Sequence, residues 1–298
     1  MEKTEKMTKR LPSWAKRKLW PASRLHEMKS VLRSRGLHTV CESARCPNIG
    51  ECFSKPTATF MILGDVCTRG CGFCSIDKGR VPLAPDPSEP GNIALTVKEL
   101  GLRHVVITSV TRDDLHHGGA AQFALTIKAI KDNISGISVE VLTPDFKGDI
   151  DALRLVFDAG PDIFNHNLET VERLYPVVRP QAIYGRSLDV LRLASGSGIF
   201  TKSGIMVGLG ETVDEVKTVL RDLKGAGCGA VTIGQYLRPT RENLEVVEYV
   251  EPEVFALYER YGCEAGLKYV YSGPFVRSSY NAERFARTEG VQGGTKRA

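Results

Sequence analysis

Residues 57–74 read Thr-Ala-Thr-Phe-Met-Ile-Leu-Gly-Asp-Val-Cys-Thr-Arg-Gly-Cys-Gly-Phe-Cys. Residues 57–63 are β-branched and apolar, which predicts a short strand buried on both faces. The strand runs into Cys67, Cys71 and Cys74 at the spacing C-x3-C-x2-C, with Gly70 and Gly72 allowing a tight turn between the thiols. Outward from it the same unit repeats. Strands are expected over 104–108, 137–142, 162–165, 203–207, 230–233 and near 267–271. Helices are expected between them at about 92–100, 119–132, 149–159, 211–225 and 252–265, with a helical region over 168–195 broken near Pro176 and Pro180. Such alternation argues for a parallel sheet covered by helices. A doubly wound open sheet is the rival, but no Gly-x-Gly-x-x-Gly follows the first strand. The expected fold class is α/β, a partial (β/α) barrel.

Barrel chemistry sits on the loops after the strand C-termini. Polar clusters fall there: Arg112, Asp113, Asp114, His116 and His117 after the second strand, and Asn165-His166-Asn167-Leu168-Glu169 after the fourth. Residues 208–211 and 235–238 follow the next two strands. Residues 80–91 are a proline-rich loop. The barrel is expected to span 56–271, preceded by a basic, Cys-rich extension at 1–55 and followed by a C-terminal extension at 272–298. Prolines 12, 21 and 47 are expected to interrupt any long helix in the first extension.

The chain has 298 residues, 42% hydrophobic and 25% charged, enough to bury a large core and far from the composition of a disordered chain. No run of 18 apolar residues exists, so no membrane span is expected. The net charge of +5 hides an asymmetry: residues 1–35 hold eleven Lys/Arg against three Glu, or +8, and the remainder is −3. A basic arm of this kind is a solvated tail or a lure for an acidic protein. A nucleic-acid enzyme spreads its basic charge over a folded face, so no nucleic-acid partner is expected. Glu2, Glu5 and Glu27 interrupt any transit-peptide pattern, and no apolar secretory segment is present. The expected location is cytoplasmic, or the mitochondrial or plastid matrix in a eukaryote.

Six of the eight cysteines lie between positions 41 and 74; Cys228 and Cys263 stand alone and read as small buried apolar residues. Three thiolates on one loop can hold three corners of a four-iron cluster, leaving the fourth iron open to chelate a small molecule. Zinc, a disulfide and unliganded packing cysteines are the alternatives. Upstream, Cys41, Cys46 and Cys52 have the spacing C-x4-C-x5-C and imply a second cluster, with a zinc site or a redox switch as the alternative.

The first motif, placed after the first barrel strand, resembles the radical S-adenosylmethionine superfamily. The two motifs together resemble the lipoyl synthase family. The likeness runs in order through CESARCPNIGECF (41–53), CTRGCGFC (67–74), TSVTRDDL (108–115), FNHNLET (164–170), VRP (178–180), KSGIMVGLGET (202–212), GQYLRP (234–239) and GPFVRSSY (273–280). The resemblance implies two 4Fe-4S clusters and S-adenosylmethionine as cofactors. Cys67, Cys71 and Cys74 would hold the cluster that cleaves S-adenosylmethionine to a 5′-deoxyadenosyl radical. Cys41, Cys46, Cys52 and Ser279 would hold an auxiliary cluster that donates sulfur. A serine oxygen is a hard, easily lost ligand, which suits a cluster that is dismantled. Asn165, Asn167 and Glu169 are candidate S-adenosylmethionine contacts, with a satisfied polar turn as the alternative.

The implied reaction inserts sulfur at carbons 6 and 8 of an octanoyl chain carried on a protein lysine. These C–H bonds are unactivated, so a radical is required. The implied partners are lipoyl domains of 2-oxoacid dehydrogenase acyltransferases, the H protein of glycine cleavage, a reductant such as ferredoxin or flavodoxin, and iron–sulfur assembly proteins. Thr111 and His117 depart from the family pattern, each standing where aspartate is common. A methylthiolating relative acting on RNA and a two-cluster electron carrier are the competing readings. The first usually adds a basic RNA-binding module, and none is visible after Lys268; the second needs no barrel of this size.

Overall fold

The computed structural model describes residues 11–15, 22–54, 59–279 and 282. The apolar runs form eight strands: β1 (His38–Thr39), β2 (Thr59–Ile62), β3 (His104–Ser109), β4 (Ser138–Leu142), β5 (Ile163–Asn165), β6 (Phe200–Val207), β7 (Ala230–Gln235) and β8 (Tyr269–Gly273). They lie side by side in chain order, with β1 antiparallel to β2 and every later pair parallel. Among the described residues β8 does not pair with β1, so the barrel is partial. Thr59 of β2 and Thr232 of β7 nonetheless line one cavity, which shows that the sheet curls.

The helices are α1 (Ala22–Ser34), α2 (Val40–Ser43), α3 (Ile49–Ser54), α4 (Glu89–Glu99), α5 (Ala120–Asn133), α6 (Ile150–Asp158), α7 (Tyr175–Val178), α8 (Tyr184–Gly196), α9 (Val213–Gly225) and α10 (Pro252–Glu264). They form where apolar residues recur at the helical period. On α9, Val216, Val219, Leu220 and Leu223 are buried, and Thr212 with Glu215 closes the N-terminus in a capping box. Asp149 caps α6 by accepting from the Asp151 and Ala152 amides. β2, β5 and β7 are buried along their whole length, as parallel strands covered on both faces must be.

The expected alternation holds throughout, with differences at the edges. Residues 57 and 58 lie outside the described residues. Residues 168–171 are not helical: Glu169 takes φ +66°, and its backbone bridges to Ile205 of β6. A 3-10 turn at Glu172–Leu174 comes first, and the α-helices begin at Tyr175 and Tyr184. In the N-terminal extension α1 runs for thirteen residues and β1 joins the sheet, while Pro21 lies outside the described residues. Of the two isolated cysteines, Cys228 is buried as expected, whereas Cys263 is exposed because α10 buries Phe255, Tyr258 and Gly262 instead.

Candidate functional site

The first cysteine loop is short and is gripped by three other loops. The Thr68 amide and hydroxyl both donate to the Thr111 carbonyl, at 3.0 and 2.9 Å, and the hydroxyl accepts from the Asp113 amide at 3.0 Å. From the β5 side, Gly72 N donates to Val178 O at 3.0 Å and Gly70 N to Gln181 Oε1 at 2.7 Å. From the β7 side, Asn243 Nδ2 donates to the carbonyls of Gly72 and Cys74, at 3.2 and 2.9 Å. A Cβ on Gly72 would stand 2.9 Å from Leu244, so the approach requires glycine.

Arg69, 5% exposed, anchors the loop electrostatically. Its Nε and Nη2 donate to the two oxygens of Asp113 at 2.7 and 2.9 Å, and Nη2 also lies 2.7 Å from Asp145. Asp145 in turn holds Arg186 at 2.8 Å. Burial opposes ionisation of Asp145, but the Arg69 hydrogen bond and charge override it and hold the carboxyl well below the carboxylate range. Burial likewise works against the Arg69 cation, and the two carboxylates outweigh it. Asp113 belongs to the polar cluster read after the second strand, but Arg69 and Asp145 were not singled out in the sequence; an arginine inside the motif was the available signal.

The upstream triad is built on two short helices. Cys41 sits on α2 and Cys52 on α3, and Cys46 lies in the turn between them, its amide donating to Cys41 O at 3.0 Å. Ser75 Oγ donates to Ser43 O at 2.8 Å, tying this turn to the first cysteine loop. Asn48 Nδ2 donates to Phe275 O at 2.8 Å, tying it to the C-terminal segment. That segment crosses the end of β7 so closely that a Cβ on Gly234 would collide with the Val276 carbonyl.

The result is one cavity of about 660 Å³. Cys41, Cys46, Cys52 and Ser279 line it, and so do Cys74, Asn167 and Glu169. Cys67 and Cys71 belong to the same loop as Cys74 but are not among the lining residues. Asn165 is not either: it is fully buried, its Nδ2 donating to Glu140 Oε1 at 3.1 Å beside the buried Glu140–Lys202 pair. Asn167 Nδ2 donates to Glu169 Oε1 at 3.1 Å, while Asn167 Oδ1 is buried with no hydrogen-bond partner among the described residues. The enclosed site pushes the Glu169 carboxyl up, against the opposing Arg179 charge.

Arg179, from the block at 178–180, is a second residue the sequence did not assign. It is buried, and its Nη1 donates to the carbonyls of Asn167 and Leu168 and to the Tyr175 hydroxyl. It therefore fixes the turn that carries Glu169. Burial pushes the Cys71 thiol up, and the Arg179 guanidinium works against that.

The donor set fits iron–sulfur clusters. All six clustered cysteines are free thiols. Burial, with Cys46 and Cys52 acting in the same direction, pushes Cys41 up to about 12, and burial, with Cys71 and Cys67 acting in the same direction, pushes Cys74 up to about 11. Each triad is thus mutually close, and a metal that binds Cys41 and Cys74 must displace their protons. Among the described residues no three His, Cys, Asp or Glu side chains converge on a single metal ion. Cluster thiolates bind separate irons and need no common point, whereas zinc does.

Two family models match the chain: the radical SAM superfamily over residues 61–223 and the N-terminal domain of lipoyl synthase over residues 1–46. The lipoyl synthase of Rubrobacter xylanophilus is 55% identical over 285 residues, which is 95% of this chain and 88% of that one. The chain belongs to the lipoyl synthase family. The lipoyl synthase of Caldicellulosiruptor bescii is 54% identical over 91% of this chain and 94% of its own. Methylornithine synthase (PylB) shares the fold, with a TM-score of 0.54 at 14% identity, covering 78% of this chain and 82% of that one. As a lipoyl synthase family member the chain is a radical S-adenosylmethionine enzyme, with S-adenosylmethionine and 4Fe-4S clusters as its cofactors. Substrates of this family are protein-bound octanoyl groups.

Proposed function

We propose that this chain converts a protein-bound octanoyl-lysine to dihydrolipoyl-lysine by inserting sulfur at carbons 6 and 8. In this reading Cys67, Cys71 and Cys74 hold the cluster that engages S-adenosylmethionine, and Cys41, Cys46, Cys52 and Ser279 hold the sulfur-donating cluster. The observation that carries it is the shared cavity: Cys74 of the first triad, the whole second triad and Ser279 line one space. Radical generation and sulfur delivery belong together there, because a carbon radical must meet sulfur before anything else quenches it.

The chemistry supplied when these groups are bound is one-electron cleavage of a sulfonium to an alkyl radical at the first, and sulfur at the second. The chain's own residues do the rest. Arg69 and Asn243 hold the first loop rigid against the barrel mouth. Arg179 favours the thiolate of Cys71 and positions the turn at 167–169. Glu169 and the free Oδ1 of Asn167 offer acceptors to the ammonium of S-adenosylmethionine. Asn165 would act only indirectly, through the buried hydrogen bonds beneath that turn. Gly234 lets the segment bearing Ser279 close the second ligand set.

The carriers proposed are lipoyl domains of 2-oxoacid dehydrogenase acyltransferases and the glycine cleavage H protein. Ferredoxin or flavodoxin would supply electrons, and iron–sulfur assembly proteins would restore the consumed cluster. Among the described residues no helix is long and apolar enough to cross a membrane. A reducing compartment, the cytoplasm or an organelle matrix, suits thiolate-bound iron. The test is anaerobic reaction of the reconstituted chain with S-adenosylmethionine, a reductant and an octanoylated carrier domain. Mass spectrometry should show two sulfur atoms gained by the carrier and 5′-deoxyadenosine released. Deoxyadenosine without sulfur gain would overturn the assignment.

A further inference from the structure

The proline-rich loop takes no part in the chemistry above, yet it carries two large apolar side chains almost wholly in water: Val81 at 87% and Leu83 at 85% exposure. It begins at the cysteine loop, where Lys78 Nζ donates to Cys71 O at 2.7 Å. It ends where Gln122, in the first turn of α5, donates to Asp86 O at 3.0 Å. Both anchors lie at the end of the sheet that carries the cavity. Between them, Val81, Pro82, Leu83, Ala84 and Pro85 make no hydrogen bond to other described residues. Pro82 and Pro85 restrict the backbone of this stretch, which forms no helix or strand. Four more exposed apolar side chains, Ile150, Val177, Ile183 and Val247, also follow strands at this end. Val81 and Leu83, two large apolar side chains left in water on one short segment, offer a contact to a protein partner.

We infer that Val81 and Leu83 are the docking contact for the carrier domain that bears the octanoyl-lysine, an inference that rests on the function proposed above. The occupant follows from the substrate's chemistry. The reacting carbons are joined to a folded protein by one lysine side chain. When the acyl chain enters the cavity, the carrier surface is therefore drawn against whatever surrounds the cavity mouth. What it meets includes a segment already restricted by proline, which loses little freedom on binding and presents alternate side chains outward. Among the described residues neither side chain of the pair is covered.

The test is the Val81→Asp/Leu83→Asp double variant in the full chain, read in two ways. Fluorescence anisotropy of a labelled octanoylated carrier domain reports docking, and sulfur insertion into a short octanoyl-lysine peptide reports the site alone. Carrier binding should weaken by about tenfold or more, with peptide conversion within about twofold of wild type. Unchanged carrier binding, or a wild type that binds no carrier, overturns the inference. An equal fall on carrier and peptide overturns it too, since the loop would then support the site. Conversion of a wild-type dimer to a monomer in sedimentation velocity, with carrier binding intact, would assign the face to self-association. Failure of the wild type to sulfurate the peptide would instead sink the function proposed above, whatever the anisotropy shows.

Discussion

The carbonyl of Val276 lies against the α-carbon of Gly234, so closely that a Cβ there would overlap it. This contact lets the C-terminal segment cross the end of β7 and bring Ser279 to the cavity.

Gly234→Ala should push that segment away, because the atom nearest the new Cβ is the Val276 backbone oxygen, which cannot rotate aside as a side chain would. Overpacking of this sort costs about 1–3 kcal/mol. A ligand displaced by about 1 Å costs a reaction up to about a hundredfold. Deoxyadenosine formation should persist while sulfur insertion falls. Measuring both products in one reaction checks this; parallel loss of the two would place the damage in the barrel instead.

The two triads should separate genetically. Cys71→Ala should abolish S-adenosylmethionine cleavage and leave the second cluster's absorbance. Cys46→Ala should retain cleavage and form no C–S bond. If Cys46→Ala made product at the wild-type level, the sulfur would have to come from elsewhere.

Arg69→Ala should destabilise the apoprotein by about 1–3 kcal/mol, because it strips one of two arginine partners from the fully buried Asp145 and leaves Arg186 in place. Arg69→Lys should recover only part of this, since an ammonium cannot reproduce the two-pronged contact with Asp113. Urea denaturation of the metal-free protein gives the number.

Glu140 and Lys202 meet at 2.9 Å inside the barrel, both with no solvent exposure, and His104 faces the other carboxylate oxygen at 3.7 Å. Burial raises the Glu140 carboxyl, but Lys202 and His104 override it and bring it down to about 2 from 4.5. A carboxyl depressed on folding stabilises the native state above its unfolded value and loses that contribution as pH falls. Wild-type stability should therefore decline between about pH 4.5 and pH 2 in part through Glu140. Glu140→Gln should be less stable at pH 7, by about 3–5 kcal/mol, because Lys202 stays buried without its counter-charge. It should also show a shallower decline over the acid interval. Denaturation at a series of pH values compares the two slopes.

Much of the site was legible in the sequence because its ligands come in tight local sets. The spacings in 41–52 and 67–74 are covalent facts, and Gly70 and Gly72 announce a tight loop. Residues 168–171 misled, since a polar stretch beside helical periodicity does not reveal that Glu169 will turn left-handed and pair with β6. Asn165 and Asn167 sit two residues apart and would share a face of a continuous strand, yet one is buried against Glu140 and the other lines the cavity, because β5 ends at Asn165.

The amino-acid sequence by itself determined the alternation of strands and helices, and with it the parallel sheet, because hydrophobic period and turn residues act over a few neighbours. It also determined the chemistry of the ligands, since thiol and hydroxyl are properties of the residues. Only the tertiary structure decided what those ligands share. Asn48 meets Phe275 across 227 residues and Arg69 meets Asp113 across 44. Such contacts follow from the curl of the sheet, which brings the ends of β2 and β7 around one space. No local pattern encodes that closure, because it arises from the summed twist and packing of all the strands.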